Sequence, residues 1–253
     1  MRLPSLLREG LRKGSKSYVF RDFQMKTLAI ITARGGSKRI PRKNIKPFLG
    51  KPIMAYSIES AINSGLFDEV MVSTDDNEIA AIAREFGAKV PFLRSAKNAD
   101  DFATTADVIV EVLEQYKELG QTFNYAICIY PTAPFVSSEL LIKGFDLLTK
   151  GDYDTVFPAM RFGFPIQRAI KLNTENRIEM LQPEHLRTRS QDLEQTYHDC
   201  GQFYWLHVER FMAKQEIWTD NSGIVILSEM EAHDIDNLED WKVAEFKYKM
   251  KNG

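Results

Sequence analysis

From Met25 onward, short apolar runs alternate with amphipathic segments of helical period, and this alternation narrows the possible folds more than any other feature. Thr27-Leu-Ala-Ile-Ile-Thr32 reads as a buried strand, followed by Glu69–Ser73, Tyr125–Tyr130, Asp154–Phe157 and Ser222–Leu227. Between them, Pro52 opens a helix over Met54–Asn63 that stops at Gly65, and a second runs from about Asn77 to Phe86 and closes on Gly87. A third helix covers Thr104–Leu119 with Val108, Val112, Leu113 and Tyr116 on one side. Ser137 or Ser138 caps a fourth helix to Leu148, and Leu238–Lys249 forms the last. Strands and helices in this order imply an α/β fold, a mostly parallel sheet covered by helices on both faces. Ligands bind such sheets beyond the carboxyl ends of the strands, so the loops after Thr32, Ser73, Tyr130 and Phe157 are where a site is expected. The alternation lapses between about Met160 and Asn221, an aromatic and charged stretch expected to be an inserted lid or dimerisation subdomain.

Composition excludes several classes. The chain has 253 residues, 44% of them hydrophobic, enough for a sizeable core in one large domain or two modest ones. With 33 Lys and Arg against 35 Asp and Glu, it lacks the basic excess of a general nucleic-acid binder. No apolar run approaches the roughly 20 residues that span a bilayer, so no membrane partner is expected. Cys128 and Cys200 cannot build a disulfide framework, and no signal peptide is evident; the expected compartment is the cytoplasm. Charge is unevenly placed. Residues 1–24 carry six basic and two acidic side chains, a net +4 that leaves −6 for the rest. Gly10, Gly14 and Pro4 argue against a membrane-surface helix there. This basic extension is expected to be flexible and dispensable, with Met25 as a natural start of the folded domain, residues 25–253.

The strongest chemical signal is Ala33-Arg-Gly-Gly-Ser-Lys-Arg-Ile-Pro-Arg-Lys-Asn44, directly after the first strand. Gly35 and Gly36 are expected to turn the backbone sharply with amide groups aimed at an anion. Arg34, Lys38, Arg39, Arg42 and Lys43 place five cations within ten residues. A lone Gly-Gly would read as an ordinary surface turn; its position and this density of positive charge favour a phosphate site. The loop lacks the GK[ST] ending of a P-loop and does not match G-x-G-x-x-G, so both familiar nucleotide fingerprints fail.

The segment resembles the signature loop of the CMP-sialic acid synthetases and related cytidylyltransferases, with Thr32 where that family usually has proline. Further blocks agree in order: Val72-Ser-Thr-Asp-Asp76, Arg94 followed by Ala103-Thr-Thr-Ala-Asp107, Pro131-Thr-Ala-Pro134, and Asp234-Ile-Asp236. The resemblance extends from Leu28 to about Tyr248 and implies a nucleotide-diphospho-sugar-transferase-like, Rossmann-like domain. It implies that Arg34 and Lys43 hold the triphosphate of CTP, assisted by Gly35, Gly36, Ser37, Lys38 and Asn44. Arg94 and Thr104, with Ala33, would recognise the cytosine and ribose.

Asp234 and Asp236 flank Ile235 in an expected extended segment, which places both carboxylates on one face and the isoleucine on the other. A bare D-x-D is common, but beside a triphosphate loop the pair suits Mg²⁺, with Mn²⁺ able to substitute. The resemblance assigns the pair to metal, with Asp236, Arg34 and Lys43 as the catalytic set. The implied reaction is attack by the hydroxyl of a nine-carbon sugar acid on the α-phosphate of CTP, carried by positioning and charge neutralisation. His198, His207 and His233 fit no zinc spacing and are expected to be structural or exposed, and Cys200 to be a buried thiol.

An acceptor carrying a carboxylate needs a cation and aromatic or amide walls. Candidates are Tyr130, Gln167, Arg168, Arg187, Tyr197, Asp199 and Tyr204, while Phe203 and Trp205 are expected to pack in a core or dimer. Tyr130 stands where sialic-acid enzymes commonly have Gln, and Asp199-Cys-Gly201 where they tend to have Asn-Gly. These departures look like the pseudaminic acid branch of the family, with sialic or legionaminic acid as alternatives. A metal-dependent glycosyltransferase and a non-catalytic nucleotide-binding module are the competing classes. The aromatic insertion is expected to make the protein a homodimer.

Overall fold

The computed structural model describes residues 25–252, so the basic extension lies outside the described residues. The chain begins with strand β1 (Thr27–Thr32) and continues through α1 (Ile53–Ser64), β2 (Glu69–Ser73), α2 (Asn77–Glu85) and α3 (Thr105–Glu118). Then follow β3 (Tyr125–Ile129), α4 (Ser138–Lys150), β4 (Thr155–Arg161), β5 (Tyr197–Asp199) and β6 (Phe203–His207). The last elements are α5 (Val208–Lys214), β7 (Ser222–Leu227) and α6 (Leu238–Asn252). The helix boundaries match their sequence signals closely. Asp76 caps α2 by accepting from the amides of Glu78 and Ile79, Ser137 caps α4, and Gly65 ends α1 in the left-handed conformation at φ 65°.

The sheet runs in the order β7-β4-β6-β3-β1-β2. β1 pairs in parallel with β2 and β3, and β7 in parallel with β4. The exception is β6, which lies antiparallel between β3 and β4; β5 continues along the same edge of β4. Pro158 falls in the gap between these two partners of β4, where that edge asks for no ladder donor.

Alternation along β1 supplies both faces of the core. Ala29 and Ile31 join Met54, Ile58, Ile127 and Trp205 under α1, α2 and α4. Leu28 and Ile30 join Ile109, Val112, Tyr116, Leu206 and Phe211 under α3 and α5. A third cluster seats α6 on the loop after β1: Ile40, Phe48, Tyr56, Ile235 and Trp241, with the Phe48 ring meeting Trp241 at 5.6 Å and Tyr248 at 5.7 Å.

The stretch expected as an insertion, about 160–221, is therefore divided. Residues 203–207 are β6, in the middle of the sheet, with Phe203 to Leu206 almost wholly buried. A strand buried on both faces shows no polar alternation, so its aromatic run does not announce itself as a strand. What projects is the segment 162–196, carrying a small hairpin of Ile170–Leu172 and Ile178–Met180. Phe164, Ile170, Leu172, Ile178 and Leu186 stand exposed along it. Among the described residues no helix is long and apolar enough to cross a membrane.

Candidate active site

At the carboxyl ends of β1 and β3 the structure opens a cavity of about 600 Å³. Arg34, Ser37, Lys38, Arg39, Lys43 and Asn44 line it from the loop after β1, and Tyr130, Pro131 and Thr132 from the turn after β3. Arg94, Asn98, Asp100, Asp101 and Thr104 close the remaining side. The loop after Phe157 does not contribute, because β4 runs on to Arg161 and into the projecting segment.

The loop is held open by its own contacts. Ala33, fully buried, still belongs to the sheet: its amide donates to the Ser73 carbonyl at 3.0 Å. The Gly35 amide donates to Asp75 Oδ1 at 2.9 Å, so it is engaged by a carboxylate rather than free for an anion. Neither Gly35 nor Gly36 takes a positive φ. Gly35 is required for a different reason: a Cβ there would lie 2.9 Å from Asp76 Oδ2, whereas Gly36 faces open space. Arg42 also departs from expectation. It adopts φ 56° and turns its guanidinium onto Asp76 and Glu78 at the start of α2, fastening the loop rather than lining the cavity. Four of the five expected cations thus face the cavity, and Asn44, buried, donates to the Arg34 carbonyl at 2.9 Å to shape the loop beneath them.

Lys43 reaches across to the segment before α6. Its Nζ donates to the Ile235 carbonyl at 2.7 Å. Ile235 is fully buried in the cluster under α6, and its neighbours Asp234 and Asp236 face outward, as the period-two reading requires. Arg39 pairs with Asp236 at 2.9 Å. Burial lowers the Lys43 ammonium from its ordinary value, while Asp236 and Asp234 oppose that shift. Desolvation, and next the charge of Asp236, pushes the Asp234 carboxyl up. Burial and a neighbouring negative charge disfavour the ionised form of Asp234, and a hard divalent cation between the two carboxyl groups would relieve both. Among the described residues no group of three or more His, Cys, Asp or Glu could hold a metal, so this pair would need phosphate or water oxygens to complete a shell.

Arg94 is 8% exposed and makes no ion pair with a carboxylate among the described residues; Nε donates to Ser73 Oγ at 3.0 Å and Nη2 to the Ser73 carbonyl at 2.6 Å. Burial lowers its pKa. A desolvated guanidinium fixed by neutral acceptors is suited to a ligand's oxygens or ring. The Thr104 side chain is committed to the helix: it and Asp107 form a reciprocal capping box at the start of α3, so Thr104 lines the cavity as a wall. The facing segment brings in two groups absent from the sequence reading. Asp101 Oδ1 lies 2.8 Å from Arg34 Nη1 and its other oxygen pairs with Lys38, while the Asp100 carbonyl accepts from Arg34 at 2.7 Å. Nothing in the pattern of two acidic residues before Phe102 signals that role.

The acceptor candidates separate into two groups. Tyr130 lines the cavity, its hydroxyl 3.0 Å from Thr105 Oγ1. The Tyr204 ring stands behind it at 5.6 Å and donates its hydroxyl proton to Asp199. Asp199 Oδ1 also accepts from the Gly201 amide at 3.0 Å, and Gly201, at φ 59°, lies against the Asp234 carboxylate. Gln167, Arg168 and Arg187 instead belong to the projecting segment and do not line the cavity: Gln167 donates to the Glu194 carbonyl, Arg168 to Ser190, and Arg187 is exposed. Tyr197 sits on β5 opposite Arg161. Phe203 and Trp205 are core residues. Both cysteines are buried thiols pushed up to about 12 by desolvation, and neither lines the cavity.

The chain is 41% identical over 226 residues to a pseudaminic acid cytidylyltransferase of Campylobacter jejuni, covering 89% of this chain and 97% of that protein. It is 31% identical over 229 residues to a CMP-N,N'-diacetyllegionaminic acid synthase of the same species, covering 89% and 96%. In fold it is similar to CMP:2-keto-3-deoxy-manno-octonic acid synthetase solved with CTP, at a TM-score of 0.65 and 15% identity over 89% of this chain and 99% of that one. A cytidylyltransferase family model matches residues 28–232, which takes in the cation loop, Arg94, the Tyr130 turn and the antiparallel β6, and the chain belongs to the cytidylyltransferase family.

Proposed function

We propose that this protein transfers CMP from CTP to the anomeric hydroxyl of a nonulosonic sugar acid, pseudaminic acid, and releases pyrophosphate. The observation that carries the reading is the cavity at the ends of β1 and β3, in which Arg34, Lys38, Arg39 and Lys43 converge beside a pair of carboxylates. The acceptor hydroxyl gives up its proton to water as its oxygen bonds to the α-phosphorus, the bond from that phosphorus to the bridging oxygen breaks, and pyrophosphate leaves with the electron pair. Arg34 and Lys43 neutralise charge that grows on the phosphates, in a cavity where Lys43 is already desolvated. No covalent nucleophile is needed, and the buried thiols offer none.

Asp234 and Asp236 would hold Mg²⁺, or Mn²⁺ in its place, which when bound neutralises further phosphate charge. Tyr130, backed by Tyr204 and Asp199, forms the wall on which the sugar acid would rest. The choice of pseudaminic acid is supported by similarity to the Campylobacter jejuni enzyme over 89% of this chain and by Tyr130 and Asp199 themselves. The exposed apolar side chains of the 162–196 segment support a homodimer in which this segment packs on the second copy.

The test is a pyrophosphate-release assay with CTP, Mg²⁺ and separately pseudaminic, legionaminic and sialic acids. Release with pseudaminic acid is expected. Turnover of another acid with none of pseudaminic acid overturns the substrate assignment. A melting temperature raised by a nucleotide sugar but not by CTP would point to a glycosyltransferase instead. Light scattering of the active protein at the mass of a monomer removes the dimer.

A further inference from the structure

Part of the cavity's positive charge is already matched from within the chain. Asp101 bridges Arg34, at 2.8 Å, and Lys38, so one carboxylate holds two of the cations that face the cavity. The segment that delivers it is anchored at both ends. On one side the Arg94 amide donates to the Thr74 carbonyl at 2.8 Å, and on the other Thr104 caps α3. Between these anchors Asp100 Oδ1 accepts from the amides of Phe102 and Ala103, both at 2.8 Å. That turn points Asp101 toward the cations and leaves Phe102 91% exposed.

A carboxylate offers a cation pair the same kind of oxygens as the edge of a phosphate, at lower charge. Lys38 first, and then Arg34, holds the Asp101 carboxyl below its ordinary value, so it stays ionised wherever phosphates would compete with it. Both ion pairs are solvent-accessible, with side-chain exposures of 35%, 80% and 38% for Arg34, Lys38 and Asp101. Pairs of this kind are individually weak and readily exchanged.

We infer that Asp101 sets the affinity of the phosphate site: its carboxylate stands in for the outer phosphates of CTP between Arg34 and Lys38, gives way to the nucleotide, and returns as pyrophosphate leaves. The inference rests on the assignment of the cavity to CTP. An incoming triphosphate, with about four negative charges, outcompetes a single carboxylate, whereas CMP has no outer phosphates to contest these two cations. The same competition weakens the hold on pyrophosphate and so speeds its release.

The experiment is calorimetric titration of the parent protein, Asp101→Asn and Asp101→Glu with CTP, CMP and inorganic pyrophosphate, Mg²⁺ present throughout. Two weak, exposed ion pairs predict a Kd for CTP and for pyrophosphate roughly two- to thirtyfold lower in Asp101→Asn. CMP is expected to change by less than about twofold, because it does not reach those pairs. Product inhibition by pyrophosphate should tighten by a similar factor, and Asp101→Glu should restore the parent values. Unchanged or weaker binding of CTP and pyrophosphate in Asp101→Asn overturns the inference. Equal tightening of CMP also overturns it, since that would report only the loss of one negative charge. A parent protein that binds neither CTP nor pyrophosphate refutes the assignment of the cavity, whereas a parent that binds both while Asp101→Asn is indifferent refutes the role of Asp101 alone.

Discussion

Lys43 donates to the Ile235 carbonyl across a sequence separation of 192 residues, at 2.7 Å. That single hydrogen bond ties the cation loop after the first strand to the segment carrying Asp234 and Asp236. It puts the half-buried ammonium between the phosphate cavity and the carboxylate pair.

Replacing Lys43 with Met should lower kcat/KM by about 10²–10³, the usual cost of removing one preorganised charge from the place where transition-state charge develops. Steady-state kinetics on the purified variant checks this. In the parent enzyme, burial lowers the pKa of this ammonium, so it loses its proton at a lower pH than a free lysine at 10.5. The alkaline limb of kcat/KM, which reports the free enzyme, should accordingly fall before pH 10.5 and be absent from the residual activity of Lys43→Met.

Asp236→Asn should reduce turnover by about 10² or more while leaving the melting temperature nearly unchanged, because the side chain is almost half exposed. The variant should also need more Mg²⁺ for half-maximal rate. Metal titrations of parent and variant separate the two effects, and normal turnover in the variant would remove the carboxylate from the metal assignment.

Stability at acid pH should depend on Asp154. Buried at 6% exposure, it accepts from Lys214, Asn221 and Arg210, joining the start of β4 to α5 and to the turn before β7. Lys214 chiefly, helped by Asn221 and Arg210, holds its carboxyl down at about 2 against an ordinary 3.8. A lowered folded-state pKa means the stabilisation is complete above 3.8 and is lost as pH falls toward 2. Asp154→Asn should cost about 1–3 kcal/mol at neutral pH, with a shallower loss of stability through that acid window. Denaturant unfolding at a series of pH values reads both.

Gly144→Ala offers a control on packing. On an exposed helix this change gains about 1 kcal/mol. Here the added Cβ would lie 2.8 Å from the Trp205 ring, which is fully buried, so overpacking at about 1–3 kcal/mol should win. Thermal unfolding should show a net loss, with kcat/KM close to that of the parent, because neither residue lines the cavity.

Much of this architecture is legible in the sequence for identifiable reasons. β1 and its loop stand out because an apolar run ends abruptly in Gly, Lys and Arg, and the outward-facing Asp234 and Asp236 follow from alternation about Ile235. Four features are not legible. β6 lacks alternation because both its faces are covered. Arg42 carries the same charge as its neighbours, and only its left-handed backbone sends it to Asp76 and Glu78. Asp101 and Gln167 are placed by tertiary contacts: the first is brought to Arg34 and Lys38 by a turn, the second is held by the Glu194 carbonyl away from the cavity.

The position of β6 also dictates an order of assembly. Residues 203–207 lie between β3 and β4, so the two parallel halves of the sheet cannot join until the chain has been made at least as far as His207. Until then the inner edges of β3 and β4, apolar strands destined for the sheet centre, remain unpaired on the growing chain, a situation that invites aggregation. Fragments ending before β6 should therefore be insoluble, and synthesis of the intact protein should be unusually sensitive to the supply of chaperones during its final third.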